Sequence, residues 1–509
     1  MNYDHDLQAL QEMRNAVQKA KSAQEKYSRF TQEQVDKIVK AVADAAFSRA
    51  LELAELAVEE TGMGIVEHKK IKNEVGSRDV YESIKNEKTV GIINEDSKTG
   101  VTEVATPFGL IAGIIPTTNP TSTAIFKALI SLKTRNGIVV SPHPRALKCT
   151  IKALEICSEA AVKAGAPEGL IGWLSKASMG ATSELMKHPD INLILATGGG
   201  ALVKAAYSSG KPAYGVGPGN VPVYIEKTAD VVKSVKMIVD SKTFDNSTIC
   251  ATEQSMIVDR NVYEMVVREL KNNGAYILNA EEKALLEKVI SPIPKKLNPA
   301  IVGQHAKKIA AMANIEVPSH TRLLIAEETK VGKDIPFSIE KLSPIFSLYV
   351  AESYEQAKDL CMQLLSIGGR GHSLALHTRD DQVSREFAEV MPVSRLLVNT
   401  LSSVGAVGGT TGLKPSLTLG CGSFGGNITS DNVSARHLIN IKRMAYGIKD
   451  VTIPQPSEKY IKSEKVTSKE ESMEDIIAQV IKNLNPSESI DPEVVAKTVN
   501  QVIQKYETK

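Results

Sequence analysis

The chain has 509 residues, which at roughly 100–200 residues per domain means two or three domains and a core that needs no disulfide or metal staple. Hydrophobic residues make up 42% and charged residues 24%, ordinary globular usage that excludes a largely disordered, collagenous or coiled-coil protein. Lys and Arg number 61 against 59 Asp and Glu, a net charge of +2, which gives no global electrostatic pull toward nucleic acid.

The first residues, Met1 to Asp6, are acidic where a secretory signal is basic. Residues 1–75 carry helical periodicity. Leu7, Leu10, Met13 and Val17 share one face, and Val35, Ile38, Val39 and Val42 share another. From about Val90 the pattern changes. Val101–Thr106 alternates as a strand does, and Gly109–Pro116 and Gly137–Ser141 are short apolar runs beside turn residues, as expected of buried parallel strands. Gly109–Pro116 is the longest apolar stretch and is too short to cross a bilayer, so a soluble cytoplasmic protein without a membrane partner is expected. The helical run Ala146–Ala164 and the strand–turn–helix unit from Asn192 to Ser208 complete an α/β alternation, which implies a parallel sheet. A second α/β region, about 226–399, contains the apolar runs Ser255–Val258, Arg322–Ile325 and Phe346–Val350 and a helix near Tyr354–Leu365. The Gly-, Ser- and Thr-rich stretch Leu401–Asn427 is long for a loop, and long loops tend to be functional. Residues 451–509 contain no glycine. A polar linker over 451–470 leads to two short amphipathic helices. Met473, Ile476, Ile477, Val480, Ile481 and Leu484 line the first, and Val494, Val495, Val499, Val502 and Ile503 the second, with Asp491-Pro492 as its start signal.

The five cysteines, Cys149, Cys157, Cys250, Cys361 and Cys421, are scattered and form no CxxC pair. That argues against a disulfide framework and against a metal site, and leaves a single reactive thiol open. Cys250 ends Ser241–Cys250, a polar run closing on Thr-Ile, and small residues and Glu253 follow. A cysteine near a helix start has its pKa lowered and is activated as a nucleophile. Spacing alone favours a buried structural thiol, because free cysteine packs as a small hydrophobe. Asn119, in Pro116-Thr117-Thr118-Asn119-Pro120, follows an apolar strand and precedes a helix, so its amide is placed to donate to an oxyanion; Asn-Pro is also plain turn chemistry. Gly215, Gly217 and Gly219 allow close backbone approach to a flat ligand, or only a tight connection. Thr197-Gly198-Gly199-Gly200 lies at a strand–helix junction suited to phosphate, but it is not a GxGxxG.

Together these segments, with Glu60–Gly64, Ser131–Asn136, Ser141–Arg145, Lys204–Asn220, Glu340–Pro344, Gly371-His372 and Ser416–Asn427, resemble the aldehyde dehydrogenase superfamily over about residues 20–445. Within it they resemble the coenzyme A-acylating branch, and most of all the aldehyde dehydrogenase half of bifunctional aldehyde–alcohol dehydrogenases. Those proteins continue into an iron-dependent alcohol dehydrogenase half where this sequence has the tail from residue 451. The resemblance implies that family's fold: a Rossmann-like cofactor domain, an α/β catalytic domain and an oligomerising extension. The expected boundaries are 1–225 for the cofactor domain, with a return segment at about 400–450, and 226–399 for the catalytic domain.

The resemblance also implies roles. Cys250 matches the nucleophile, and Asn119 matches the oxyanion-hole asparagine, acting with the Cys250 backbone N–H. His372 matches a histidine near the acyl site. Glu340 matches the glutamate that holds the nicotinamide ribose. Thr197, Gly198 and Gly199 match the pyrophosphate turn, and Gly217 belongs to the cofactor-side glycine segment. Pro142, His143 and Arg145 fall where the adenosine ribose is read. Hydrolytic members carry a water-activating Glu in Glu-Leu-Gly-Gly-Lys; here Val216 stands in its place and takes no proton from water. Cys421, between two glycines, falls in a wall loop of the family pattern, and Cys149, Cys157 and Cys361 read as core. The implied activity converts a short-chain aldehyde, first of all acetaldehyde, with coenzyme A and NAD into acyl-CoA and NADH. NADP is left open, because His143 and Arg145 suit a 2′-phosphate. Propionaldehyde, succinate semialdehyde and sulfoacetaldehyde remain alternative substrates, and a homodimer or homotetramer is implied. Rival readings are a hydrolytic dehydrogenase, a glutamyl-phosphate reductase, and a scaffold acting through its tail. Residues 471–509 resemble the encapsulation helices of bacterial microcompartment cargo, which would make shell or cargo proteins their partners.

Overall fold

The computed structural model describes residues 4–457 except Ala177, the single positions Asp475, Ala478 and Lys482, and residues 491–507. Contacts group 1–446 into one compact unit and 447–509 into another.

The amino-terminal periodicity forms the helices His5–Tyr27, Gln32–Ser48, Ala50–Thr61 and Val66–Glu74. Val35, Ile38, Val39 and Val42 are buried as the pattern predicts. On the first helix Met13 and Val17 are buried but Leu7 is exposed, because the packed face runs through Ala9, Ala20 and Tyr27 instead.

Five strands, β3 (Leu110–Ile114), β4 (Gly137–Ser141), β5 (Ile171–Trp173), β6 (Ile191–Thr197) and β7 (Ala213–Val216), form a parallel sheet in the order β5-β4-β3-β6-β7. The chain leaves β3 in one direction and returns to β6 on its other side. That reversal opens a crevice at the carboxyl ends of β3 and β6, the usual ligand position in such sheets. The second sheet is also parallel. Its order is β10 (Ala275–Ile277), β11 (Leu323–Glu327), β12 (Ile345–Ala351), β9 (Glu253–Asp259), β8 (Val221–Ile225), β13 (Gly371–His377) and β14 (Val393–Val398). Every residue of β8, β9 and β13 is buried, which is why these strands read as continuous rather than alternating runs. A third, antiparallel sheet joins β1 (Gly91–Asp96), β2 (Val101–Pro107) and β15 (Ile439–Ala445).

Two details of the sheets differ from the expected division. β8 belongs to the second sheet, so the chain crosses between sheets at Gly217–Asn220 rather than after Ile225. An apolar run such as Val-Pro-Val-Tyr-Ile suits the centre of either sheet, so its composition does not mark the crossing. The return segment does come back to the first half of the chain, but β15 pairs with β2 in the third sheet and not in the cofactor sheet. In the second unit the helix Pro492–Glu507 is capped by Asp491, whose carboxylate accepts from Glu493 N at 3.0 Å. The stripe Met473–Leu484 and residues 458–470 of the linker lie outside the described residues. Among the described residues no helix is long and apolar enough to cross a membrane.

The reversal point is pinned by Lys127, on the buried helix Pro120–Lys133. Its Nζ donates to Ile114 O of β3 at 2.7 Å and to Leu195 O of β6 at 2.8 Å. Burial holds its pKa far below the usual lysine range. Lys127→Met keeps the volume but removes the donor shared by two buried carbonyls. It is expected to cost about 2–4 kcal/mol, read as a lower urea midpoint for this half of the chain; an unchanged midpoint would show that the crosslink is dispensable.

Candidate active site

The helix Val231–Thr243 ends in a tight turn, Phe244–Ser247, and Cys250 follows in the loop that leads to β9. Cys250 is therefore not at a helix start, and no helix dipole acts on it in the way the sequence suggested. Instead the turn itself is unusual: Asp245, Asn246 and Ser247 have φ of 49°, 50° and 66°. Three consecutive left-handed residues with side chains cost about 1–2 kcal/mol each. Side-chain bonds hold them there. The Asp245 carboxylate accepts from Lys69 Nζ at 3.0 Å, Thr248 Oγ1 at 2.6 Å, Ile65 N at 2.7 Å, and from Lys72. Asn246 Nδ2 donates to Gly303 O at 3.0 Å. Gly64 is required beside this knot, since its φ is +83° and a Cβ there would lie 2.1 Å from Asp245 Oδ1.

Asn119 immediately precedes the helix Pro120–Lys133 at the carboxyl side of β3. Lys72 Nζ donates to its Oδ1 at 2.6 Å, and its Nδ2 donates to Thr248 O at 3.1 Å. An ammonium only donates, so the Asn119 oxygen must face Lys72 and its NH2 must face the Cys250 loop. Burial lowers Lys72 to about 8 against the pull of Asp245. Burial pushes the Asp245 carboxyl up, but Lys72 and Lys69 outweigh it and leave it below the ordinary range.

His372, buried in β13, places Nε2 3.2 Å from Cys250 Sγ, and its Nδ1 is 3.0 Å from Ser373 Oγ. Burial, with Arg395 adding to it, pushes His372 down to about 3, so the ring is neutral. Burial, then Glu340 and Cys421, push the Cys250 thiol up to about 12, and Arg395 opposes them. Cys421 is a wall residue: its sulfur faces Leu419 O at 3.5 Å, and its carbonyl abuts Gly371, where a Cβ would lie 1.9 Å away. Cys149, Cys157 and Cys361 are fully buried, and burial raises all three thiols. Val216 is buried with Phe244, Ile249 and Leu397 in an apolar cluster on which Cys250 packs.

Some of the residues expected on the cofactor side reach this thiol. Gly219 lies against it, since a Cβ would come 2.1 Å from Cys250 O, and Gly219 N donates to Glu340 Oε1 at 2.9 Å. Burial raises the Glu340 carboxyl to about 8. Nothing lies within 4 Å of a Cβ at Gly217, which lines a cavity of about 480 Å³ with Gly200, Lys204, Pro218 and Arg370. The helix Gly200–Tyr207 has Gly199 as its cap and no capping side chain, which leaves its amino end free for an anion. Thr197 and Gly198 close β6 beside it, with Thr197 Oγ1 3.3 Å from Thr418 Oγ1 and Gly198 N on Val216 O at 3.4 Å. Pro142, His143 and Arg145 follow β4 on the same sheet edge. Pro142 is buried, His143 Nδ1 caps the turn by accepting from Arg145 N at 3.1 Å, and Arg145 is exposed toward a cavity of about 590 Å³ that also touches Glu60. These three are not in contact with the Cys250–Asn119–His372 group. The bare amino end, the glycine at Cys250 and the Glu340 carboxyl together suit a dinucleotide laid along the sheet edge. Among the described residues no cluster of His, Cys, Asp or Glu is arranged to hold a metal.

Residues 6–331 match the model of the aldehyde dehydrogenase family. The chain belongs to the aldehyde dehydrogenase family. It is 51% identical over 439 residues to the bifunctional aldehyde-alcohol dehydrogenase AdhE of Escherichia coli K12, covering 85% of this chain and 49% of that protein. The chain thus spans about half the length of the curated relatives it matches first. An acetylating aldehyde dehydrogenase structure from Geobacillus thermoglucosidasius superposes with a TM-score of 0.88 at 54% identity, covering 89% of this chain and 100% of that one. The Rhodopseudomonas palustris propionaldehyde dehydrogenase with bound propionyl-CoA superposes with a TM-score of 0.76 at 29% identity, covering 85% and 94%.

Within this aldehyde dehydrogenase site, Lys72, Lys69, Ser373 and Arg395 were not singled out from sequence. The lysines stand three apart on a polar helix, which reads as a solvated face, and nothing local signals that Asp245 buries them. Lys72→Met frees the Asn119 amide to turn over. It is expected to lower kcat about 100-fold, the scale of one oxyanion donor, with KM for the aldehyde nearly unchanged; steady-state kinetics showing intact kcat would remove Lys72 from the site's machinery.

Proposed function

We infer that the chain is a coenzyme A-acylating aldehyde dehydrogenase, using NAD and acting on a short uncharged aldehyde, acetaldehyde first. The observation that carries this reading is the pairing of a histidine-bonded Cys250 with a buried valine where hydrolytic members place their base. Cys250 thiolate attacks the aldehyde carbonyl. The oxyanion is taken up by Asn119 Nδ2, which exchanges Thr248 O for it, and by the Cys250 backbone N–H. The dinucleotide, held along Thr197–Gly199, Gly217 and Glu340 and read at Pro142–Arg145, supplies the hydride acceptor. An acyl thioester then remains on Cys250. Val216 activates no water, so the acyl group stays until the thiolate of coenzyme A displaces Cys250. One thioester forms as the other breaks, and the transfer is reversible.

The apolar wall of Val216, Phe244 and Ile249 favours a short hydrocarbon chain. The cations near the sulfur are already engaged. Arg395 donates to His372 O and Gly420 O, and Lys72 to Asn119 and Thr248, which leaves neither for a substrate carboxylate or sulfonate. This supports acetaldehyde over succinate semialdehyde or sulfoacetaldehyde.

The test is NADH formation from acetaldehyde and NAD⁺ with and without coenzyme A. Sustained turnover is expected only with coenzyme A, and Cys250→Ala is expected to abolish it. Steady release of free acetate without coenzyme A would overturn the assignment.

A further inference from the structure

Arg395, on β14, is buried, and all of its N–H groups end on oxygens. Nη2 donates to His372 O at 2.9 Å and Gly420 O at 2.7 Å, and Nη1 to Ser430 O at 3.2 Å and Asn432 Oδ1 at 3.3 Å. The remaining donor, Nε, points at Ser373 Oγ at 3.3 Å. Ser373 Oγ in turn lies 3.0 Å from His372 Nδ1, and His372 Nε2 lies 3.2 Å from Cys250 Sγ.

The direction of this chain follows from its first member. A guanidinium has no acceptor, so Nε–H occupies a lone pair of Ser373 Oγ. Ser373 has one hydroxyl hydrogen, and His372 Nδ1 is its acceptor. A hydrogen on Nδ1 would make both neighbours donate to Ser373 and leave its own buried hydrogen without a partner. The network therefore assigns the ring hydrogen of a neutral His372 to Nε2, facing the sulfur. We propose that Ser373, oriented by Arg395, fixes His372 as the Nε2–H tautomer, so that the imidazole donates a hydrogen bond to the Cys250 thiolate instead of acting as the base that deprotonates it. The S–H bond breaks with its electron pair left on sulfur, and the proton passes to water at the partly exposed mouth of the site. Ser373 and Arg395 are positioning residues; His372 touches the reacting atom.

The proposal rests on Cys250 being the nucleophile, and its test uses readouts independent of turnover. In histidine-¹⁵N-labelled enzyme, the His372 signal is identified by its loss in His372→Gln. It is expected at neutral pH as a bare Nδ1 and a protonated Nε2, and Ser373→Ala is expected to give a mixture of tautomers. The second readout is the pH dependence of Cys250 alkylation by iodoacetamide, with Cys250→Ala as blank. The charged and titrating groups facing the sulfur and the ring are Arg395, Glu340, Cys421 and Lys72. Glu340→Gln separates the carboxyl's inflection from that of the thiol. His372→Ala is expected to slow alkylation about tenfold near neutral pH, the worth of one hydrogen bond to a charged acceptor. His372→Gln, which keeps an N–H donor but is no base, is expected to recover most of that loss. A hydrogen on Nδ1 in the wild type, or a Gln variant as slow as Ala, overturns the proposal. The expected tautomer in an enzyme that shows no coenzyme A-dependent turnover supports the proposal and overturns the functional reading alone.

Discussion

One buried carboxylate sets the geometry of the site. Asp245 is fully buried and ties three left-handed residues to two lysines from another helix. The same lysine that holds it, Lys72, orients Asn119. The backbone that places Cys250, the proposed nucleophile, and the amide of Asn119, the proposed oxyanion donor, therefore share one ion-pair knot. Two ammonium groups face one carboxylate, so the knot carries a surplus positive charge. Such a buried surplus is costly for folding, but in the proposed reaction it lies beside the groups where negative charge develops, first on sulfur and then on the carbonyl oxygen. The strain of the turn and the uncompensated cation are parts of one arrangement, in which packing elsewhere holds the site ready before substrate arrives.

The two parallel sheets bring the remaining groups to this knot. The crevice at β3 and β6 is a consequence of strand order, and Asn119 and the Thr197–Gly199 turn follow those two strands directly. The crossing at Gly217–Asn220 carries the chain from one sheet to the other past Cys250. Only glycine fits at position 219, where a side chain would meet the Cys250 carbonyl. The proposed cofactor cradle and nucleophile are thus set against each other by the same four-residue link.

The sheets were legible in the sequence because parallel strands buried on both faces leave short apolar runs between turn residues, as Gly137–Ser141 does. Cys250 was legible as a candidate, though its spacing alone favoured packing, and its expected role came from the resemblance of the surrounding segment. Asn119 was legible in the same way from its place between strand and helix, and Glu340 followed from the resemblance alone. What was not legible is long-range. Lys72 and Asp245 lie 173 residues apart, Ser373 and Arg395 lie 22 apart on neighbouring strands, and no local pattern marks either pair. The crossing between sheets before Val221 was not legible for a related reason: hydrophobicity says that a strand is central, not to which sheet it belongs.

The chemistry of acyl exchange explains why a neutral histidine suits this thiol. A cysteine–imidazolium ion pair depresses the thiol pKa strongly, as in cysteine proteases. That makes a good leaving group but a weaker nucleophile, because nucleophilicity falls with pKa. In the reaction we propose, the acyl group passes in both directions between Cys250 and the alkyl thiol of coenzyme A. Reversible exchange is fastest when the two sulfurs have similar basicity, so neither thioester becomes a trap. A hydrogen bond from a neutral ring stabilises the thiolate less than an ion pair does, and the hydrogen bonds of Arg395 end on oxygens rather than on the sulfur. In the proposed reaction, where Val216 offers no base to water, moderate activation of the sulfur leaves the acyl group with one productive exit, the incoming thiol.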